Sequence, residues 1–89
     1  MPDTRDKILL VDDEPTTRLV VRRALEQRGF EVKDADGGQK ALELFPGFAP
    51  DIVLLDALMP GMDGFATCTR LRALPEGQHV PILMLTGLN

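Results

Sequence analysis

Short apolar runs alternate along the chain with segments that repeat apolar positions at helical spacing. An apolar run bounded by turn residues is typical of a strand buried on both faces, and the spaced segments are typical of helices. Strands are predicted at residues 8–11, 30–35, 52–55 and 80–85. Helices are predicted at residues 15–28, 39–45 and 64–74. This alternation predicts a parallel α/β sheet with right-handed crossovers.

The second strand has the composition of an edge strand. The second strand alternates apolar and polar residues, which places it at a sheet edge with one wetter face. The first and third strands are central neighbours if the first crossover runs in one direction along the sheet and the second runs in the other, and the chain then reverses its direction of winding between them. Ligands of open α/β sheets bind beside the carboxyl ends of strands at such a switch point. We therefore expect the functional site where the first and third strands end.

Each predicted helix has an apolar face that should turn inward. In the first helix that face contains Thr17, Val20, Val21, Ala24, Leu25 and the stem of Arg28. The opposite face carries Arg18, Arg22 and Arg23. We expect this face to be solvated, and the alternative is a docking surface. In the third helix the inward residues should be Phe65, Cys68 and Leu71. Gly29 should close the first helix with a left-handed cap, and Asp63 should cap the third.

Composition limits the possible classes. At 89 residues, with 44% hydrophobic and 27% charged residues, the chain has the length and composition of one globular domain or less. A net charge of -4 argues against nucleic acid as a direct partner. The single cysteine, Cys68, excludes an internal disulfide and favours a reducing compartment. There is no apolar run of membrane-spanning length or leader-like N-terminus, so a cytoplasmic module is expected.

Acidic residues stand at the ends of the two central strands. Asp12 and Asp13 follow the first strand, Asp56 ends the third, and Thr86 follows the fourth. Each alone has an ordinary structural explanation, such as a helix cap or a loop acid, but their coincidence at one sheet edge favours a site. Converging carboxylates suit Mg²⁺ or Mn²⁺. A carboxylate beside such a cation can attack phosphorus and carry an acyl phosphate, with the Thr86 hydroxyl bonded to a phosphoryl oxygen.

These segments resemble a known family. The sequences VDDEP at 11–15, DALMPGMDG at 56–64 and TG at 86–87 are similar to those of a bacterial response-regulator receiver domain of the CheY-like type. The resemblance implies a flavodoxin-like sheet of strand order 2-1-3-4. It also implies a phosphoacceptor regulatory domain in two-component signalling, which is not an enzyme beyond assisting its own phosphorylation and dephosphorylation.

The resemblance also assigns roles. It implies that Asp56 is the phosphoacceptor and that a histidine kinase, a phosphotransfer protein or a small phosphodonor supplies the phosphoryl group. It implies direct Mg²⁺ ligation by Asp13, Asp56 and the backbone carbonyl of Leu58, with Asp12 acting largely through water. Thr86 would be the switch hydroxyl. The first helix, including Arg18, Leu19 and Arg22, would lie on the kinase-docking side.

The chain departs from this family at its end. Resembling receivers continue through a fourth helix, a fifth strand and a fifth helix, and carry a lysine that pairs with the phosphoryl group. Here the chain stops at Asn89, and Lys7, Lys33 and Lys40 occupy no matching place. Residues 1–89 are therefore expected to form a truncated receiver domain. The alternative function is an assembly or interaction module without efficient phosphorylation.

Two other classes use similar elements. A haloacid-dehalogenase-type phosphohydrolase needs a second aspartate two residues after its nucleophile, where this chain has Leu58. A flavodoxin-like mononucleotide binder needs a loop rich in glycine, serine or threonine after the first strand, where this chain has DDEP. Both fit poorly.

The fourth strand carries an expectation about assembly. Its residues 82–85 are all apolar, so both of its faces should be covered. An unpaired edge there is a template for pairing with another chain. We expect the 89-residue chain to form a homodimer through this strand and the uncovered sheet face near the first helix, or else to be partly molten.

Overall fold

The chain folds as a parallel sheet with helices on both faces. The computed structural model describes residues 5–57, 59 and 63–85. The strands are β1 (Lys7–Val11), β2 (Glu31–Ala35), β3 (Ile52–Asp56) and β4 (Ile82–Leu85). The helices are α1 (Pro15–Gln27), α2 (Gly38–Phe48) and α3 (Gly64–Ala73), with a 3₁₀ turn at Pro75–Gly77. In this part of the chain no helix has the length and apolar character needed to cross a membrane.

The strand order is β2-β1-β3-β4, and every pairing is parallel. The flavodoxin-like order predicted from the sequence is therefore confirmed. Val11 is in register with both Ala35 and Leu55, and Asp56 is in register with Leu85. The carboxyl ends of the strands consequently lie along one edge of the sheet, with the switch point between β1 and β3.

Alternate residues of the central strands fill two cores. Leu9 belongs to a cluster with Phe45 of α2 and Leu71 of α3 on one face of the sheet. Leu10 belongs to a separate cluster on the other face, against which Leu25 of α1 packs. All of these side chains except Leu25 are fully buried. The two faces of β1 are thus both covered, as its continuous apolar sequence predicted.

The predicted inward face of α1 is wrong in part. Val20 is 61% exposed, and Ala24 is also exposed. The half-buried residues of α1 are Thr17, Arg18, Val21, Arg22 and Leu25. The helix is turned so that two arginines face β2, because Asp34 on that face of the edge strand accepts a hydrogen bond from Arg22 and forms an ion pair with Arg18. The prediction placed both arginines on the solvated face because it counted only apolar partners.

Helix α2 is longer than predicted. It continues past Phe45 through Pro46 to Phe48, although proline normally ends or bends a helix. Phe45 and Phe48 are three residues apart on one side of the helix, and both are buried in the core. Ala49 then ends the helix in the left-handed conformation, and its N–H donates to the carbonyl of Phe45 at 2.9 Å. Burial of the second phenylalanine accounts for the extra turn.

Helix α3 differs from its prediction at one residue. Phe65 was expected to point inward but is 65% exposed, whereas Thr67 and Leu71 are buried. Cys68 is half-buried against the core, as expected. The predicted N-cap is confirmed, since the carboxylate of Asp63 accepts the N–H of Ala66 at 2.8 Å. The left-handed glycine predicted after α1 is also confirmed, because Gly29 has a φ of 94°.

Candidate functional site

Three carboxylates meet at the carboxyl edge of the sheet. Asp12 and Asp13 follow β1, and Asp56 is the last residue of β3. Each offers one carboxylate oxygen, and these three oxygens all lie within 4.8 Å of one another. Asp12 is buried, Asp56 is half-buried and Asp13 is exposed. The convergence expected from the strand order is therefore present, with one side of the cluster open to solvent.

Hydrogen bonds hold both the main chain and the side chain of Asp12. Its N–H donates to the carbonyl of Ala35 on β2 at 3.1 Å. Its own carbonyl accepts Nη1 of Arg18 at 2.8 Å, and its Oδ1 accepts the N–H of Glu14 at 2.9 Å. These bonds fix the turn that carries the Asp12 and Asp13 side chains.

Glu14, rather than either aspartate, caps helix α1. Its Oε2 accepts the N–H of Thr17 at 2.7 Å. The structural alternative for the aspartate pair, in which one of them would be the N-cap, is therefore excluded by the observed bond. Hydrogen bonds from the Thr17 N–H and hydroxyl and from the Thr16 N–H lower the pKa of the Glu14 carboxyl from its ordinary value.

The Asp56 side of the site is built by close contact between β3 and α3. The N–H of Ala57 donates to the carbonyl of Leu85 at 3.0 Å, and the N–H of Gly64 donates to the carbonyl of Ala57 at 3.2 Å. A Cβ at Gly64 would lie 2.3 Å from the carbonyl oxygen of Asp56 and 2.6 Å from the Cα of Ala57. Only glycine allows α3 to begin this close to the end of β3.

The electrostatics of the cluster are unfavourable without a counter-charge. Burial raises the pKa of the Asp12 carboxyl above its ordinary value. The hydrogen bond from the Glu14 N–H acts against this rise, and the charges of Asp56, Asp13 and Glu14 add to it. At the 4.8 Å limit of the cluster, two unit charges repel by about 0.9 kcal/mol even in bulk water. The site therefore favours a bound cation.

The donor set fits a small hard cation. Octahedral Mg²⁺ takes oxygen ligands at about 2.0–2.1 Å, so neighbouring ligand oxygens lie about 3 Å apart and opposite ones about 4 Å apart. Carboxylate oxygens within 4.8 Å of one another reach that spacing with small side-chain movements. The exposure of Asp13 leaves room for water among the remaining ligands.

Two predicted site residues, Leu58 and Thr86, lie outside the residues that the structure describes, so their roles stay predictions. Two of the three lysines are engaged elsewhere. Nζ of Lys7 and Nζ of Lys33 lie 5.7 Å and 5.4 Å from the ring centroid of Phe48. Sequence reasoning missed the contact of Arg18 with the Asp12 carbonyl, because a main-chain acceptor leaves no signal in a sequence pattern.

Known proteins share this fold and its acidic motifs. The family model described as the response regulator receiver domain matches residues 8–89. The chain belongs to this family. It is accordingly a receiver domain of the two-component response-regulator type, a regulatory signalling domain, as its motifs implied.

One curated relative is a probable transcriptional regulator, ycf27, of Guillardia theta. It is 41% identical to the chain over 86 residues, which are 97% of the chain and 33% of the relative. The chain therefore spans about a third of the length of this relative.

Solved receiver structures have the same fold. The chemotaxis protein CheY4 of Vibrio cholerae superposes with a TM-score of 0.92 at 34% identity, covering 97% of the chain and 72% of CheY4. The receiver domain of sensor histidine kinase PA1611 from Pseudomonas aeruginosa PAO1 has a TM-score of 0.89 at 30% identity, covering 96% of the chain and 70% of that domain. That structure contains a magnesium ion coordinated in the active-site cleft.

The raised pKa of Asp12 predicts that Asp12→Asn stabilises the metal-free protein at neutral pH. The folded chain binds the Asp12 proton more tightly than the unfolded chain does, so ionisation of this carboxyl reduces stability as the pH rises above its ordinary pKa of 3.8. Asparagine keeps the acceptor for the Glu14 N–H and removes the charge. We expect the free energy of unfolding at pH 7 to rise by about 1 kcal/mol, which raises Tm by about 4–8 °C in a domain of this size.

Thermal melts monitored by circular dichroism at pH 7 and below pH 3.8 measure this effect, which should be absent at the lower pH. Asp6→Asn is the matched control, since Asp6 is exposed and precedes β1 at the opposite sheet edge. A melting temperature of Asp12→Asn at or below that of the wild type at pH 7 would contradict the prediction.

Proposed function

We propose that this receiver accepts a phosphoryl group on Asp56 in a reaction that depends on Mg²⁺ or Mn²⁺. The observation that carries the proposal is the convergence of the Asp12, Asp13 and Asp56 carboxylates within 4.8 Å at the switch point of the sheet. Loop or capping acids with separate structural roles need not lie close together, and their mutual repulsion opposes such an arrangement. A cation-dependent acceptor site requires them to meet.

The three carboxylates differ in what they can do. Asp13 is exposed and Asp56 is half-buried, so both can place an oxygen on a cation directly. Asp12 is only 5% exposed and already accepts the Glu14 N–H, which suits an indirect contact through water. We assign the remaining protein ligand to the Leu58 carbonyl and the contact to the phosphoryl group to the Thr86 hydroxyl. The bound cation would offset negative charge on the phosphoryl oxygens.

The transfer itself is a displacement at phosphorus. An Asp56 carboxylate oxygen donates an electron pair to phosphorus and forms an acyl phosphate. The bond from phosphorus to the donor breaks, and its electron pair leaves with the donor. With a phosphohistidine donor that atom is an imidazole nitrogen, and with acetyl phosphate it is a carboxylate oxygen of acetate. Fixing the main chain around Asp12 and at Asp56 positions the acceptor before the donor arrives.

The partner that supplies the phosphoryl group is proposed to be a histidine kinase or a phosphotransfer protein. Helix α1 lies beside the acidic cluster and presents Leu19 and Val20 to solvent, together with the exposed Arg23. An exposed apolar pair flanked by a cation is a suitable docking surface for another protein. The single cysteine, Cys68, is consistent with a reducing compartment, and we propose that the receiver acts in the cytoplasm.

A second candidate function is assembly through β4. Among the strands described, β4 pairs with β3 alone, and Leu83 on β4 is 53% exposed. An apolar strand with an unpaired edge can add a strand from another chain. A homodimer in which two copies of the chain pair through β4 is therefore our alternative to phosphorylation.

The first prediction of this proposal concerns cation binding. Asp13→Asn should weaken Mg²⁺ binding by at least about tenfold, because even the loss of a residue that only supports a metal ligand costs about 10–100-fold. Chemical-shift changes during Mg²⁺ titration, or line broadening by Mn²⁺, measure the affinity. Asp36→Asn is the control, since it removes the same charge from an exposed position after β2. Equal affinity in the two variants would contradict the assignment.

The second prediction concerns the acyl phosphate. With acetyl phosphate and Mg²⁺, the protein should gain one phosphoryl group that is lost in base. Asp56→Asn should reduce this product below detection, whereas Asp36→Asn should leave it unchanged. Intact-mass spectrometry before and after base treatment gives the measurement. Phosphoryl label that persists in Asp56→Asn would place the chemistry on another residue.

The third prediction concerns self-association of the 89-residue chain. Leu83→Lys introduces a charge on β4 that opposes pairing with another chain. We expect light scattering at tens of micromolar to show a dimer for the wild type and a smaller species for Leu83→Lys. Phe65→Lys is the control for added charge alone, since Phe65 is an exposed apolar residue of α3. A wild-type monomer that melts cooperatively and binds no hydrophobic dye would exclude this assembly.

A further inference from the structure

The side chain of Arg18 on α1 reaches the main chain of the turn that follows β1. Its Nη1 donates to the Asp12 carbonyl at 2.8 Å. Its side chain is only 21% exposed, unlike a solvated surface arginine. The Asp12 carbonyl belongs to the peptide bond between Asp12 and Asp13, in the turn between β1 and α1. A guanidinium bonded to this carbonyl therefore restrains both aspartates.

Arg18 is itself held by a row of charges on β2 and α1. Its Nε lies 3.9 Å from Oδ2 of Asp34, and the same oxygen accepts Nη1 of Arg22 at 3.2 Å. Arg22 also bonds Oε2 of Glu26 through its Nε at 3.2 Å. We call Asp34, Arg22 and Glu26 the charge row. It runs outward from Arg18, and the exposure of its side chains increases along the row from Asp34 through Arg22 to Glu26.

We propose that Arg18 is a positioning residue that holds the turn carrying Asp12 and Asp13 in the geometry needed to bind a divalent cation beside Asp56. The inference rests on the proposed function, because it concerns the same cation site. Arg18 does not touch the cation or the phosphoryl group, and it acts through the Asp12 carbonyl. The charge row limits the rotamers of Arg18 and so keeps this contact formed.

The physical need for such a restraint comes from the carboxylates themselves. Without a cation, Asp12, Asp13 and Asp56 repel one another, and the Asp12–Asp13 turn is the part of the cluster outside the sheet. The hydrogen bond that Arg18 donates to the Asp12 carbonyl and the one that the Asp12 N–H donates to the Ala35 carbonyl oppose outward movement of this turn. The site is then assembled before the cation binds, which lowers the ordering cost of binding.

A positioning role and a purely electrostatic role predict opposite changes in Mg²⁺ affinity when Arg18 is lost. Arg18→Met removes a positive charge near the site, so charge alone predicts tighter Mg²⁺ binding. Loss of positioning predicts weaker binding, by about tenfold, the lower end of the effect of removing residues that support metal ligands. Arg23→Met removes the same charge from an exposed position of the same helix and gives the purely electrostatic reference.

The experiment titrates the wild type, Arg18→Met, Arg18→Lys and Arg23→Met with Mg²⁺, followed by NMR. We expect Arg18→Met to bind about tenfold more weakly than Arg23→Met. We expect Arg18→Lys, which keeps the charge and a donor, to fall between the wild type and Arg18→Met. Circular dichroism confirms that each variant is folded. Binding by Arg18→Met that is equal to or tighter than that of Arg23→Met overturns the proposal.

A metal-free measurement separates this inference from the proposed function. Amide hydrogen exchange of Asp12 and Glu14, whose N–H groups bond Ala35 and Asp12, should be about tenfold faster in Arg18→Met. Exchange at Val53, whose N–H bonds Pro81 at the other end of the sheet, should be unchanged. If the wild type binds no Mg²⁺, the proposed function fails, and the exchange rates alone decide the positioning role. Unchanged exchange at Asp12 and Glu14 then overturns it.

Discussion

Mutual repulsion of three carboxylates is the constraint that the rest of this structure meets. Asp12, Asp13 and Asp56 offer oxygens within 4.8 Å of one another, and one of these residues is almost fully buried. Such an arrangement is stable only if moving the surrounding backbone would cost more free energy than holding the charges together. The surrounding structure supplies that rigidity through two strands, one helix start and one arginine.

The strands do so by burying their interiors completely. Val11 and Leu55, which immediately precede the acidic residues in β1 and β3, are in register and have no measurable exposure. Displacing either carboxylate segment along the sheet would expose these side chains, at about 1.5–3 kcal/mol each. Gly64 adds a second restraint, because α3 begins in contact with the carbonyl of Asp56. The acidic site therefore cannot move without disrupting the packing of the apolar core.

The sequence was sufficient to predict the elements, because apolar periodicity distinguishes buried strands from helices. The strand order, and with it the meeting of the three aspartates, was predicted from the resemblance to receiver domains, since periodicity alone leaves the direction of each crossover along the sheet open. The sequence was insufficient for the orientation of α1. There the partner of the inward face is Asp34, a charged residue on an edge strand, and a periodicity that counts only apolar residues assigns Arg18 and Arg22 to the wrong side. It also ended α2 too early, since the buried contact of Phe48 outweighs the local effect of Pro46.

The actual orientation of α1 changes how the helix can serve a receiver. Had Arg18 and Arg22 faced solvent, they would have formed a cationic surface together with the exposed Arg23. Instead Arg18 and Arg22 are turned toward β2 and the acidic turn, so the outer surface offers Leu19 and Val20. The proposed docking surface and the proposed positioning contact therefore use different residues, on different sides of one helix.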